Sequence, residues 1–91
     1  MIKHLVITGR VQGVGFRYWL QSLATKKNIF GWVKNTISGN VEALIVGNEK
    51  EVGDLIKLCE KGPSASKVNY VEINEYKKNY LTKSFDIIKS D

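Results

Sequence analysis

The run Gly9-Arg10-Val11-Gln12-Gly13-Val14-Gly15-Phe16-Arg17 concentrates residue types that bind anions. It holds three of the chain's eight glycines and, although fourteen residues are Lys or Arg, both of the arginines. Glycines let successive backbone N–H groups turn toward one point, and a helix starting directly after them adds unpaired N–H groups and the positive end of its dipole. An arginine fork pairs with two phosphate oxygens at once, which lysine cannot do. The segment reads as a phosphate cradle. The plainer alternative is a tight strand-to-helix connection carrying two surface arginines.

The loop is not one of the common nucleotide loops. It lacks the Gly-Lys-Ser/Thr ending that would bring a lysine to a terminal phosphate and a hydroxyl to magnesium. Tyr18 stands where a dinucleotide fingerprint needs its third glycine, and no acidic residue precedes Glu42 to hold a ribose. The loop also has no cysteine to serve as a phosphatase nucleophile.

The catalytic inventory around such a cradle is thin. The only histidine, His4, lies inside a strand-like run and reads as a structural or surface residue rather than a base. The first 41 residues contain no Asp, Glu or Cys, which disfavours a covalent intermediate, a strong general base or a carboxylate-held metal. The substrate must then be intrinsically reactive. A mixed carboxylic-phosphoric anhydride meets that demand, because its carboxylate leaving group needs no general acid. The protein has only to position a water and stabilise the charge on the phosphoryl oxygens.

The elements that must position these groups can be read from periodicity. Ile2 to Thr8 is an apolar, β-branched run ending at Gly9, hence a strand; Phe16, Leu20, Leu23 and Ala24 recur at helical spacing up to Asn28. Ile29 to Asn35 and the alternating segment from Val41 to Ile45 read as a hairpin around Thr36-Ile37-Ser38-Gly39. A second helix is bounded by Asn48 as N-cap, Glu51 as its capping-box partner and Gly62-Pro63 as its stop, with Val52, Leu55, Ile56 and Cys59 inward. Val68 to Ile73 and Phe85 to Ile88 supply two further strands. The order is βαββαβ with an additional short C-terminal strand, an α+β, ferredoxin-like α/β sandwich whose mostly antiparallel sheet carries two helices on one face.

This topology singles out Asn35. A right-handed crossover makes the first two strands parallel, so the glycine loop and Asn35 lie at the same edge of the sheet, about 10 Å apart if the third strand inserts between them. A bound phosphate and Arg17 would bridge that gap. Asn35 can accept from a water through its carbonyl and donate through its amide; its other reading is a turn residue beside Thr36.

Length and composition narrow the class. Ninety-one residues with 43% hydrophobic content suit a single domain, 1–91, with one core. Cys59 alone excludes an internal disulfide and a Cys-rich zinc site, and fits a reducing cytoplasm; on the apolar face of a helix it reads as structural. No apolar run approaches a membrane span or a signal peptide. The net charge of +5 divides into +6 for residues 1–41 and −1 for the rest, so an anionic partner is expected at the first part.

The glycine run, together with Gly31-Trp32-Val33-Lys34-Asn35 followed by Gly39, Val41 and Glu42, resembles the two signatures of the acylphosphatase family, and the likeness extends over essentially the whole chain. Lys34 stands where members often have Arg, and the hairpin lacks the Pro-Asp-Gly turn common there. The resemblance implies metal-independent hydrolysis of small-molecule acyl phosphates, with no cofactor. Arg17 and the backbone of Arg10, Val11, Gln12, Gly13, Val14, Gly15 and Phe16 would bind the substrate phosphate, and Asn35 would orient the water. Inorganic phosphate is then both product and competitive ligand, and the protein is expected to be a monomer. Two rivals are a ferredoxin-like nucleic-acid-binding module and a carbamoyl-phosphate-handling accessory domain. Nucleic acid is not expected as a partner, since Phe30-Gly31-Trp32-Val33 lacks the spaced aromatics of an RNA-recognition signature and its rings are read as core.

Overall fold

In the computed structural model, which describes residues 1–91, strand β1 (Ile2–Arg10) leads to helix α1 (Phe16–Lys26), strands β2 (Phe30–Asn35) and β3 (Val41–Val46), helix α2 (Glu49–Lys61), strand β4 (Lys67–Glu75) and a short β5 (Phe85–Ile87). The sheet order is β4-β1-β3-β2-β5, antiparallel at every pairing except β2 with β5. β3 lies between β1 and β2, which therefore run in the same direction, as in the split βαβ arrangement. No helix is long and apolar enough to cross a membrane.

Period-two alternation sends Leu5, Ile7, Val33, Val41, Ala43, Ile45 and Phe85 to one face, where they bury with Phe16, Leu20 and Ala24 of α1 and Val52, Leu55 and Cys59 of α2. Helix α1 packs over β2 and β5, and α2 over β4. The helix ends follow local chemistry. α1 stops at Lys26, two residues before the sequence-based limit, because Asn28 takes φ 55° and the Ile29 N–H returns to the Ala24 carbonyl at 2.8 Å. At α2 the Asn48 side chain accepts the Glu51 N–H at 2.8 Å, but Glu51 does not complete the capping box; its carboxylate lies 3.8 Å from Lys27 and 3.7 Å from Lys50. Gly62, at φ 73°, ends the helix with its N–H on the Leu58 carbonyl at 2.8 Å.

One expectation is corrected. Phe30 and Trp32 are not core: both are half-buried and alternate with the buried Gly31 and Val33, so they belong to the face turned away from the helices. Gly31 fixes this parity, because at φ 134° a Cβ there would fall 1.9 Å from the Leu44 carbonyl oxygen. Trp32 meets His4 edge-on, 6.4 Å between centroids, and lies beneath the Lys34 ammonium at 5.6 Å. His4 is structural on this open face, with Nε2 2.6 Å from the Glu42 carboxylate and Nδ1 3.2 Å from the Asn74 amide.

Candidate active site

The loop between β1 and α1 owes its shape to three glycines with positive φ. At Gly9, φ 128°, β1 changes register against β4, and a Cβ would sit 2.1 Å from the Lys67 carbonyl oxygen. Gly13 and Gly15 take φ 72° and 78°, yet a Cβ at either would meet nothing within 4 Å. Backbone conformation, not crowding, therefore demands glycine at those two positions, and the space outside them is open to a ligand. Val11 anchors the loop by burying its side chain in the core beside Phe16.

Along this loop the backbone donors are free. From Val11 to Tyr18 no N–H donates to another group of the protein; the first to find an acceptor is that of Trp19, which bonds the Gly15 carbonyl at 3.0 Å. Helix α1 has Gly15 as its N-cap, so no side chain caps it, and its first turn carries no acidic residue. Helix α2 is the contrast, with an Asn48 cap and Glu49 and Glu51 in its first turn. Exposed N–H groups at a helix start, backed by its dipole, form an anion site.

Arg17, half-buried in the first turn of α1, and the exposed Arg10 have no carboxylate within 4.0 Å and no hydrogen-bond partner, so both guanidinium groups remain available. Lys67 pairs in register with Arg10 across the β1–β4 edge and adds a third cation at this end of the sheet. Asn35 closes β2 on the helix-side face at the same end of the sheet as the loop, level with Ile7 of β1, and its side-chain amide has no partner. The sequence-derived residues Arg10 to Arg17 and Asn35 are thus brought to one end of the sheet.

Two features of this end were missed from sequence. The Gln12 side chain crosses to the β2–β3 hairpin, its Nε2 2.8 Å from both the Thr36 and the Asn40 carbonyl oxygens. Its position inside the glycine run, polar where the neighbouring Val11 is buried, was the available signal. In addition, the segment after β5 follows β2: the Ile88 N–H bonds the Val33 carbonyl at 3.0 Å and the Asp91 N–H the Asn35 carbonyl at 3.3 Å, while the Asp91 carboxylate lies 2.7 Å from Lys34. Hydrogen bonding to Asp91 and the nearby Glu42 raise the Lys34 pKa.

No three His, Cys, Asp or Glu residues cluster anywhere as metal ligands. Burial pushes the Cys59 thiol up to about 12, which leaves it inert. The surface cavities lie against β4, beside the α1–β2 connection and near Val46 and Tyr80.

Comparison with known proteins shows the family and the fold. The family model for Acylphosphatase matches residues 3–87. An acylphosphatase of Nitrobacter hamburgensis is 46% identical over 72 residues, which span 79% of this chain and 73% of that protein. The crystal structure of acylphosphatase from Bacillus subtilis superposes with a TM-score of 0.92 at 36% identity, covering 98% of this chain and 100% of that one. Full-length HypF in a phosphate- and nucleotide-bound form matches with a TM-score of 0.89 and 32% identity, over 98% of this chain and 12% of that one.

Proposed function

This chain belongs to the acylphosphatase family, and from that premise we propose how it hydrolyses the carboxyl-phosphate anhydride bond of an acyl phosphate to a carboxylate and inorganic phosphate. The phosphoryl oxygens take hydrogen bonds from the free N–H groups of Val11 to Tyr18 and from the Arg17 fork, while Arg10 and Lys67 draw the anion in. The Asn35 side chain, two strand spacings from the loop's own strand with β3 between, accepts a hydrogen bond from a water and aims the water's oxygen at phosphorus. The new P–O bond forms in line with the breaking bond to the acyl oxygen, which leaves as a carboxylate without protonation. The water's proton passes to a phosphate oxygen, since the only imidazole, His4, is engaged by Glu42 and Asn74 on the opposite face.

The observation that carries this reading is the unbroken series of unpartnered N–H groups leading into α1, with an unpaired arginine in the same turn. Loop donors aimed at the phosphoryl group stabilise its charge without a metal. The reading extends to a cytoplasmic monomer in which residues 1–91 act as one domain, with inorganic phosphate as product and competitive ligand. The test is phosphate release from benzoyl phosphate by the purified protein. Turnover competitively inhibited by inorganic phosphate supports the reading; tight phosphate binding without turnover would make the loop a binding site only.

A further inference from the structure

Thr36 and Asn40 form the neck of the β2–β3 hairpin, immediately beyond Asn35. Thr36 N–H donates to the Asn40 carbonyl at 2.9 Å, and Asn40 N–H returns to the Thr36 Oγ1 at 3.1 Å. The Gln12 amide spans this neck from the phosphate loop, donating to both carbonyls at 2.8 Å. Because both partners are acceptors only, the group facing them must be the NH₂, and its two hydrogens are both used. Gln12 is thus the side-chain hydrogen bond that links the loop holding the phosphate with the strand end holding Asn35, across two strand spacings of open sheet edge.

We infer that Gln12 is a positioning residue for the hydrolytic reaction: its side-chain amide sets the distance between the bound phosphate and the Asn35-held water. This rests on the reading of Asn35 as the residue that orients the water. Gln12 need not touch the substrate with its side chain, because both donors are committed to the hairpin. Its effect should therefore fall on turnover, which depends on the placement of water against phosphorus, and not on capture of the phosphate, which the loop backbone and Arg17 perform.

The experiment compares Gln12→Met, Asn35→Ala and the double variant with benzoyl phosphate as substrate and inorganic phosphate as competing ligand. Met keeps the side-chain length and removes both donors. Gln12→Met should lower kcat about ten- to hundredfold while phosphate affinity stays within about twofold, and it should add nothing further in the Asn35→Ala background. A Gln12→Met variant with unchanged kcat, or one that loses phosphate affinity in step with rate, overturns the inference. So does a loss that persists undiminished in the double variant, even if Asn35→Ala alone behaves as a water-holder variant should. Wild-type turnover in Asn35→Ala overturns the parent reading and this inference with it.

A second variant keeps the test decisive if Gln12→Met folds poorly. In Gln12→Glu the ionised carboxylate faces two carbonyl oxygens without a donor, whereas the protonated acid regains one. Its kcat relative to wild type should recover as pH falls from about 8 to about 4. A ratio flat over that range contradicts the inference.

Discussion

Asn35 stands directly across the sheet from Ile7, both pairing with Val41 of the strand between them. β1 continues past Ile7 to Arg10 before the loop turns back into α1, so the glycine loop rises above the level at which β2 ends in Asn35. The groups proposed to hold phosphate and water therefore lie in the β1–α1 loop and at the end of β2, two strand spacings apart across one sheet, and the Gln12 bonds to the hairpin neck tie that loop to that strand end. Pre-set geometry of this kind removes the orientational cost of bringing water and phosphorus together.

Replacing Arg17 with lysine keeps the charge and loses the bidentate fork. Arg17 has no partner within the protein, so Arg17→Lys should leave the denaturant midpoint close to that of the wild type while both phosphate affinity and turnover fall. Wild-type phosphate affinity in this variant would remove Arg17 from the site.

Turnover should not depend on an added metal. The loop offers N–H donors where other phosphoryl-transfer sites use magnesium, and no three potential ligand side chains converge. Activity after treatment with a chelator and dialysis should equal that of untreated protein; restoration of a lost activity by magnesium would count against the site as described.

Gly15 needs φ 78° but has open space where a Cβ would project. Gly15→Ala should therefore cost the backbone penalty of about 1–2 kcal/mol, and Gly15→Asn less, because Asn visits this region more readily. Denaturant unfolding of the two variants checks this order. Equal losses would mean that φ is not what selects glycine here.

Cys59 should resist alkylation in the native protein at pH 8 and react once the chain is unfolded, which thiol labelling with and without denaturant will show. Burial raises its pKa from the ordinary 9.0 to about 12. A raised folded-state value means that this contribution to stability is complete below about pH 9 and is lost as pH rises toward 12. Rapid native labelling would place the thiol outside the core.

Much of this architecture was legible in the sequence because the signals were local. The glycine run marks a turn, Phe16, Leu20 and Ala24 mark the helix after it, and Asn48 with Gly62 brackets α2. Asn35 was reached through the crossover rule, which converts chain order into sheet order. Contacts between distant segments were not legible. Gln12 and Asn40 are separated by 28 residues, and nothing in either segment alone announces their bond. The face chosen by Trp32 was misread for a related reason: aromatic residues suit either side of a sheet, and the deciding constraint is the close approach of Gly31 to the Leu44 backbone. The Asp91 contact with Asn35 likewise depends on β5 having already paired with β2.

The central claim is that holding phosphate and orienting water are separate tasks given to separate residues, and Asn35→Ala tests it most directly. Turnover, phosphate affinity and denaturant midpoint should be measured on one preparation. Loss of a positioned polar contact to the reacting water should cost about 3–4 kcal/mol in the transition state, on the order of a hundred- to thousandfold in rate. Phosphate affinity should stay near that of the wild type, and stability should fall by no more than about 1 kcal/mol, because the Asn35 side chain has no partner in the fold. A fall in turnover only in proportion to lost phosphate affinity would contradict the account and make Asn35 a binding or turn residue.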